Sequence, residues 1–275
     1  MGERDGSDSG KSNQEIKEWF SHGHLGTAEF FKDCAKLLEQ DEFEDPFESI
    51  VEGEPIEVRH RIFVIYSIIA SNAFLEARIN EFHDAALDAV EHWPYHYDQE
   101  MGYGPVDDGR FMRLVKNLNQ VEQRDFSYKP TLKKYQVILT YADEETFDPG
   151  QNPYQDVKLV RELRNYFVHY QPEWRGIGTD QDTHRLESGL QGKYQQNPLA
   201  GEDALLFPDK LLSADSARWA RESCQEFVSE FLERINGRET HTFRKMRTRG
   251  PDGPLSVNSV KSAGFYSEDS TSDSN

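Results

Sequence analysis

Cysteine is nearly missing from this chain of 275 residues, which carries only Cys34 and Cys224. Two thiols so far apart exclude a paired redox or metal motif, and each reads as a small buried hydrophobe. Long apolar runs are missing too. The longest, Ile62 to Ala70, is broken at Ser67 and falls well short of the ~18 residues of a spanning helix. The opening Gly2-Glu3-Arg4-Asp5-Gly6-Ser7-Asp8 lacks the basic-then-apolar layout of a secretory leader. These gaps point to a cytoplasmic protein with no membrane partner. Positive charge is also scarce. Against 50 Asp and Glu stand 31 Lys and Arg, a net charge of −19, which excludes a protein that coats DNA by neutralising its backbone.

Within the cations lysine is the scarcer, 13 against 18 arginines, and the acid is spread along the whole chain. That balance points to a salt-rich, halophilic cytoplasm, where the Debye length shrinks to a few Å. Strong screening also lowers the cost of an acidic protein meeting an acidic polymer. No segment alternates with period two, and no internal repeat is visible. The chain therefore reads as all-α, with one core, a long central helix, long surface loops and disordered termini.

Residues 1–12 and the stretch 238–275 frame a helical domain over 13–237. The first lacks periodicity. The second begins with a basic patch, Arg238 to Arg249, of local net charge +4, and ends in the acidic Ser267–Ser274. Between them, Thr27 is a candidate cap for a helix with Phe30, Phe31, Cys34, Leu37 and Leu38 on one face. After an acidic loop, Gln40 to Glu54, one long helix is expected from about Ile56 to Trp93, ended by Pro94. Its middle, Ile62 to Tyr66, is apolar all round and should be buried between neighbours.

A loop over Tyr95–Asp108 follows, then helices over Gly109–Gln123, Thr131–Glu144 and Gln155–Tyr170. A glycine-rich surface loop leads to a last helix, capped by Ser213, that runs to about Ile235 and is closed by Gly237.

Several motif-like matches carry no chemistry. Gly10-Lys11-Ser12 lacks the glycine a phosphate loop needs at position 5, which is Asp5. His22 and His24 have no third ligand at a useful spacing, and Pro94 separates His92 from His96, so no metal or other cofactor is expected. The carboxylates Glu81, Asp84 and Asp88, and the pair Asp143 and Glu144, read as solvated surface.

The stretch from Asp156 to Trp174 stands apart because it is not acidic. Leu159, Leu163, Tyr166, Phe167 and Tyr170 form an apolar face, while Arg161, Arg164, Asn165 and His169 lie around the rest. Asn165 and His169, four apart, share a side of a helix. Arg164 and His169, five apart, stand about 140° around an ideal helix, so they meet only if the arginine wraps or a second subunit brings its own copy. A guanidinium offers a planar fork for phosphate oxygens, and an imidazole moves protons near neutral pH.

Arg164-Asn165-x-x-x-His169 resembles the Arg-x(4–6)-His signature of the HEPN superfamily, the higher eukaryote and prokaryote nucleotide-binding helical domains. Ser71–Phe82, reading SNAFLEARINEF, resembles the helix beneath that motif, and the likeness spans about residues 27–236. The resemblance implies a metal-independent endoribonuclease, often dimeric, of the kind found in toxin–antitoxin or defence systems. His169 would then be the general acid or base, Arg164 would stabilise the transition state and Asn165 would position the phosphate. RNA is the implied partner, together with a second copy of the chain. The other role the resemblance implies is an inactive interaction module that partners an antitoxin or a nucleotidyltransferase.

Asn72, Glu76 and Asn80 draw a polar line on the long helix. Buried polar groups need partners, so Glu76 is expected to pair with Arg161 or Arg164 and, with Asn80, to support the motif. An enzyme should leave Arg164 and His169 open to solvent, whereas a module should bury or pair them.

Overall fold

The computed structural model describes residues 19–40, 55–92, 114, 117–118, 123–172 and 184–235, and all secondary structure among them is helical. Helix α1 spans Ser21–Leu38 and α2 spans Ile56–His92. They are followed by α3 (Gln123–Ser127), α4 (Thr131–Tyr141), α5 (Tyr154–Val168), the single turn α6 (Glu187–Leu190) and α7 (Ala214–Arg234). The acidic loop, the Tyr95–Asp108 loop, the basic patch, both termini and most of Gly109–Gln123 lie outside the described residues.

Side chains from distant parts of the chain set the helix directions. Glu81 of α2 accepts from the Ser21 backbone N–H and hydroxyl at 2.8 and 2.6 Å, so it caps α1 from outside. Glu39, just past the other end of α1, meets His60 Nε2 at 2.8 Å near the start of α2. The two helices are therefore antiparallel. The same Glu39 oxygen accepts from the Ala214 N–H at 2.7 Å, and Phe231 near the end of α7 stands edge-on to Phe82. Helix α7 thus runs parallel to α2. Tyr154 packs on Phe227 and Tyr166 on Phe207, which makes α5 antiparallel to both.

Helix α7 buries Ala217, Ala220, Cys224, Phe227 and Phe231 at steps of three and four, the spacing that keeps one side of a helix against a core. Ser213 caps it as expected: its hydroxyl accepts from Ser216 N–H at 3.1 Å, and the Ser216 hydroxyl answers the Ser213 N–H at 3.0 Å. The core joins Phe74, Leu75 and Ile79 of α2, Tyr135 and Ile138 of α4, and Val157, Val160 and Leu163 of α5. Tyr135 sits between Phe227 and Phe231 and donates to the Leu75 carbonyl at 2.9 Å. Cys34 and Cys224 are free and buried, and burial pushes the Cys34 thiol up to about 12.

Four expectations are corrected. Helix α1 begins six residues before Thr27, whose hydroxyl instead donates back to the Gly23 carbonyl at 2.8 Å. Glu81 is not solvated surface, because the first turn of α1 needs an acceptor. The glycine-rich stretch is no surface loop between 184 and 212. Leu186, Leu190, Phe207, Leu211 and Leu212 all enter the core, and their irregular spacing hid this from a periodicity reading. Gly189 permits that packing, since a Cβ there would stand 2.8 Å from the Leu159 side chain. Finally, the middle of α2 is not enclosed on all sides: Ile62 and Tyr66 are exposed.

Candidate functional site

Helix α5 carries the motif. Val157, Val160 and Leu163 anchor one side of it in the core, and α2 and α7 pack against it. That anchoring turns the polar side outward. Lys158 and His169 are exposed, while Arg161, Arg164 and Asn165 are half-buried.

The helix ends at Val168, one residue before the motif histidine. His169 leaves helical geometry at φ −111° and ψ 32°, yet its N–H still bonds the Asn165 carbonyl at 2.9 Å. The histidine therefore stands at the very end of the helix, with its side chain exposed. Val168 and Tyr170 flank it, both exposed.

Arg164 Nη1 donates to the Asn165 side-chain carbonyl at 3.1 Å, so the first two residues of the motif are joined. Among the described residues no carboxylate pairs with Arg161 or Arg164, and the Arg161 Nε is buried without a hydrogen-bond partner. In a chain with an excess of acid, two half-buried guanidiniums have no carboxylate partner among the described residues, and a planar guanidinium suits an external anion.

Glu76 does not hold them. It is exposed and forms no ion pair with Arg161 or Arg164. Positions 76 and 80 of α2 serve α4 instead. Lys134, only 2% exposed, donates its ammonium to the Asn80 carbonyl oxygen at 2.8 Å. Burial pulls the Lys134 ammonium below its usual range, and the Glu76 carboxylate partly opposes that. Of the polar line, Asn80 bonds this lysine, Glu76 stands exposed beside it, and the Asn72 Oδ1 is buried without a hydrogen-bond partner.

Two groups near these elements went unseen in the sequence. His184 stacks on Phe207 with ring centroids 4.6 Å apart and meets Tyr166 edge to face, so a second imidazole touches a residue within the motif. Its polar neighbours in sequence gave no signal of burial. His83, 4% exposed, stacks on Phe126 at 3.9 Å. A separate cavity of about 130 Å³ opens beside the first turn of α2, where Arg61 pairs with Asp209 next to Glu57 and Asn197. No residue of the α5 motif lines it.

Compared with known proteins, the chain matches no family model, no curated protein and no solved structure.

Proposed function

We propose that this chain is a HEPN-like, metal-independent endoribonuclease acting as a homodimer, in a toxin–antitoxin or defence setting. The observation that carries the reading is an exposed His169 at the rim of a helix whose Arg161 and Arg164 have no carboxylate partner among the described residues. Such an arrangement suits an RNA phosphodiester. The ribose 2′-OH attacks the adjacent phosphorus, the 2′-O–P bond forms and the P–O5′ bond breaks. The products carry a 2′,3′-cyclic phosphate and a 5′-OH.

One His169 takes the 2′ proton and the partner subunit's His169 returns a proton to the leaving oxygen. Arg164, aligned by Asn165, holds charge on the equatorial oxygens. The nucleophile belongs to the substrate, so positioning, proton transfer and charge stabilisation carry the step. The second reading, an inactive module that docks a protein such as a nucleotidyltransferase, draws its support from Val168 and Tyr170, whose apolar surface beside the motif is open.

Cleavage of a mixed RNA pool in EDTA and high salt tests the proposal. Wild type should yield cyclic-phosphate ends, and His169→Ala and Arg164→Ala should each lose ~10²–10⁴ in rate. Arg164→Lys should recover little, since an ammonium lacks the planar fork. No cleavage by wild type, or equal cleavage by His169→Ala, removes the nuclease.

A further inference from the structure

The chain leaves helical geometry at His169, and the next side chain, Tyr170, is 56% exposed. That ring is not loose on the surface. It meets Tyr166 edge to face, with centroids 5.6 Å apart. Tyr166 in turn packs on Phe207 at 5.1 Å and on His184 at 5.0 Å, and both of those are buried. One relay of rings therefore ties an exposed phenol to the core. An edge-to-face contact takes up at most one face of a ring, so Tyr170 keeps a face that Tyr166 does not cover.

Cationic donors stand on the turns just before it. Lys158 is exposed, and Arg161 and Arg164 are half-buried with no carboxylate partner among the described residues. A nucleotide has the two matching halves, an anionic phosphate and a flat base. A protein partner fits less well. Among the described residues of 154–172, Val168 and Tyr170 are the only large apolar side chains exposed. Two side chains fall far short of the ~800 Å² per partner that a stable protein interface buries, whereas one aromatic face suits one base.

We infer that Tyr170 is a stacking platform for one nucleobase, that of the nucleotide whose phosphate meets Arg164 and His169. The occupant's identity rests on the ribonuclease reading above, and the platform adds the state in which RNA enters the site. Tyr170 and His169 are joined by a trans peptide, their Cα atoms about 3.8 Å apart, which keeps base and phosphate within one nucleotide of each other. In a duplex each base is stacked between its neighbours, so the nucleotide at this site must be unpaired and splayed out. Every base has a π-face, so the ring selects for strandedness and not for sequence. Because Tyr166 already holds the phenol, little side-chain freedom is lost when a base lands.

Binding of a fluorescein-labelled 2′-fluoro RNA decamer without internal pairing, read by anisotropy on the full chain, tests the platform. The probe lacks the 2′-OH nucleophile, so binding is read apart from cleavage. Wild type should bind it, and Tyr170→Phe should bind within about twofold of wild type. Tyr170→Ala and Tyr170→Leu should each weaken binding by ~5–150-fold, with helical circular dichroism and Tm unchanged. That factor should persist from about 0.2 to 1 M NaCl while every affinity falls, since stacking releases no counterions. The decamer annealed to its complement should bind wild type no better than it binds Tyr170→Ala. No binding by wild type, equal binding of the duplex and the single strand, or a Tyr170→Leu that binds as wild type overturns the platform; the last is the behaviour of a merely apolar docking surface. Tyr170-dependent binding without any RNA cleavage keeps the platform and removes the nuclease. Cleavage that needs His169, with binding indifferent to Tyr170→Leu, does the reverse.

Discussion

A single imidazole, His83, shows how burial in this fold becomes a dependence on pH. Burial holds its pKa below the usual range, with Asp84 opposing the shift and Lys134 adding to it, and its Nε2 is buried without a hydrogen bond. The folded chain therefore keeps His83 neutral where the unfolded chain, titrating near 6.5, takes up a proton. Stability from this residue is fully present above about pH 6.5 and is lost as the pH falls below it. Between about pH 7.5 and 5.5 the Tm should drop, and His83→Phe, which keeps the stack on Phe126, should shrink that drop. Little of this was legible in the sequence, since a histidine among charged residues carries no mark of its burial. The bond between Arg164 and Asn165 joins neighbours along the chain, and that proximity was legible. The partner of Glu76 was not, because a helical line of polar residues says which face they share but not which helix meets that face.

Whole helices were easier to read. The limits of α2 and α7 matched expectation within one or two residues, since both carry sustained apolar spacing and α7 a strong cap. The start of α1 was missed because its cap is supplied by Glu81, 60 positions away. The 184–212 segment was missed because it fills the core without any period. The heaviest demand on one side chain falls where three helices meet at Glu39. Its Oε1 accepts from Ala214 N–H and faces His60 Nε2, and His60 is fully buried. Glu39→Ala removes an acceptor from two buried or half-buried donors and should cost about 2–4 kcal/mol in urea unfolding. Ser213→Ala, which removes only the local cap, should cost about 0.5–2 kcal/mol.

At the scale of the molecule the dominant fact is net charge. A chain of −19 repels itself when compact. Raising NaCl from about 0.1 to 1 M should increase the Tm by several degrees, while sucrose of equal osmolality should not reproduce the gain in full, because only ions screen. Fold class was legible from the missing period-two pattern. The exposure of Ile62 and Tyr66 was not, because an apolar run does not say which of its sides a neighbour covers.

The bond from Ala214 to Glu39 crosses 175 residues. On the ribosome, at ~5–20 residues per second, the first hairpin waits roughly 9–35 s for the helix that completes it. During that interval the sides of α1 and α2 that α7 covers have no lid, and a nascent chain stalled before Ser213 should be sensitive to protease and bound by chaperones. Closure comes last, when α7 slots between two elements made long before it.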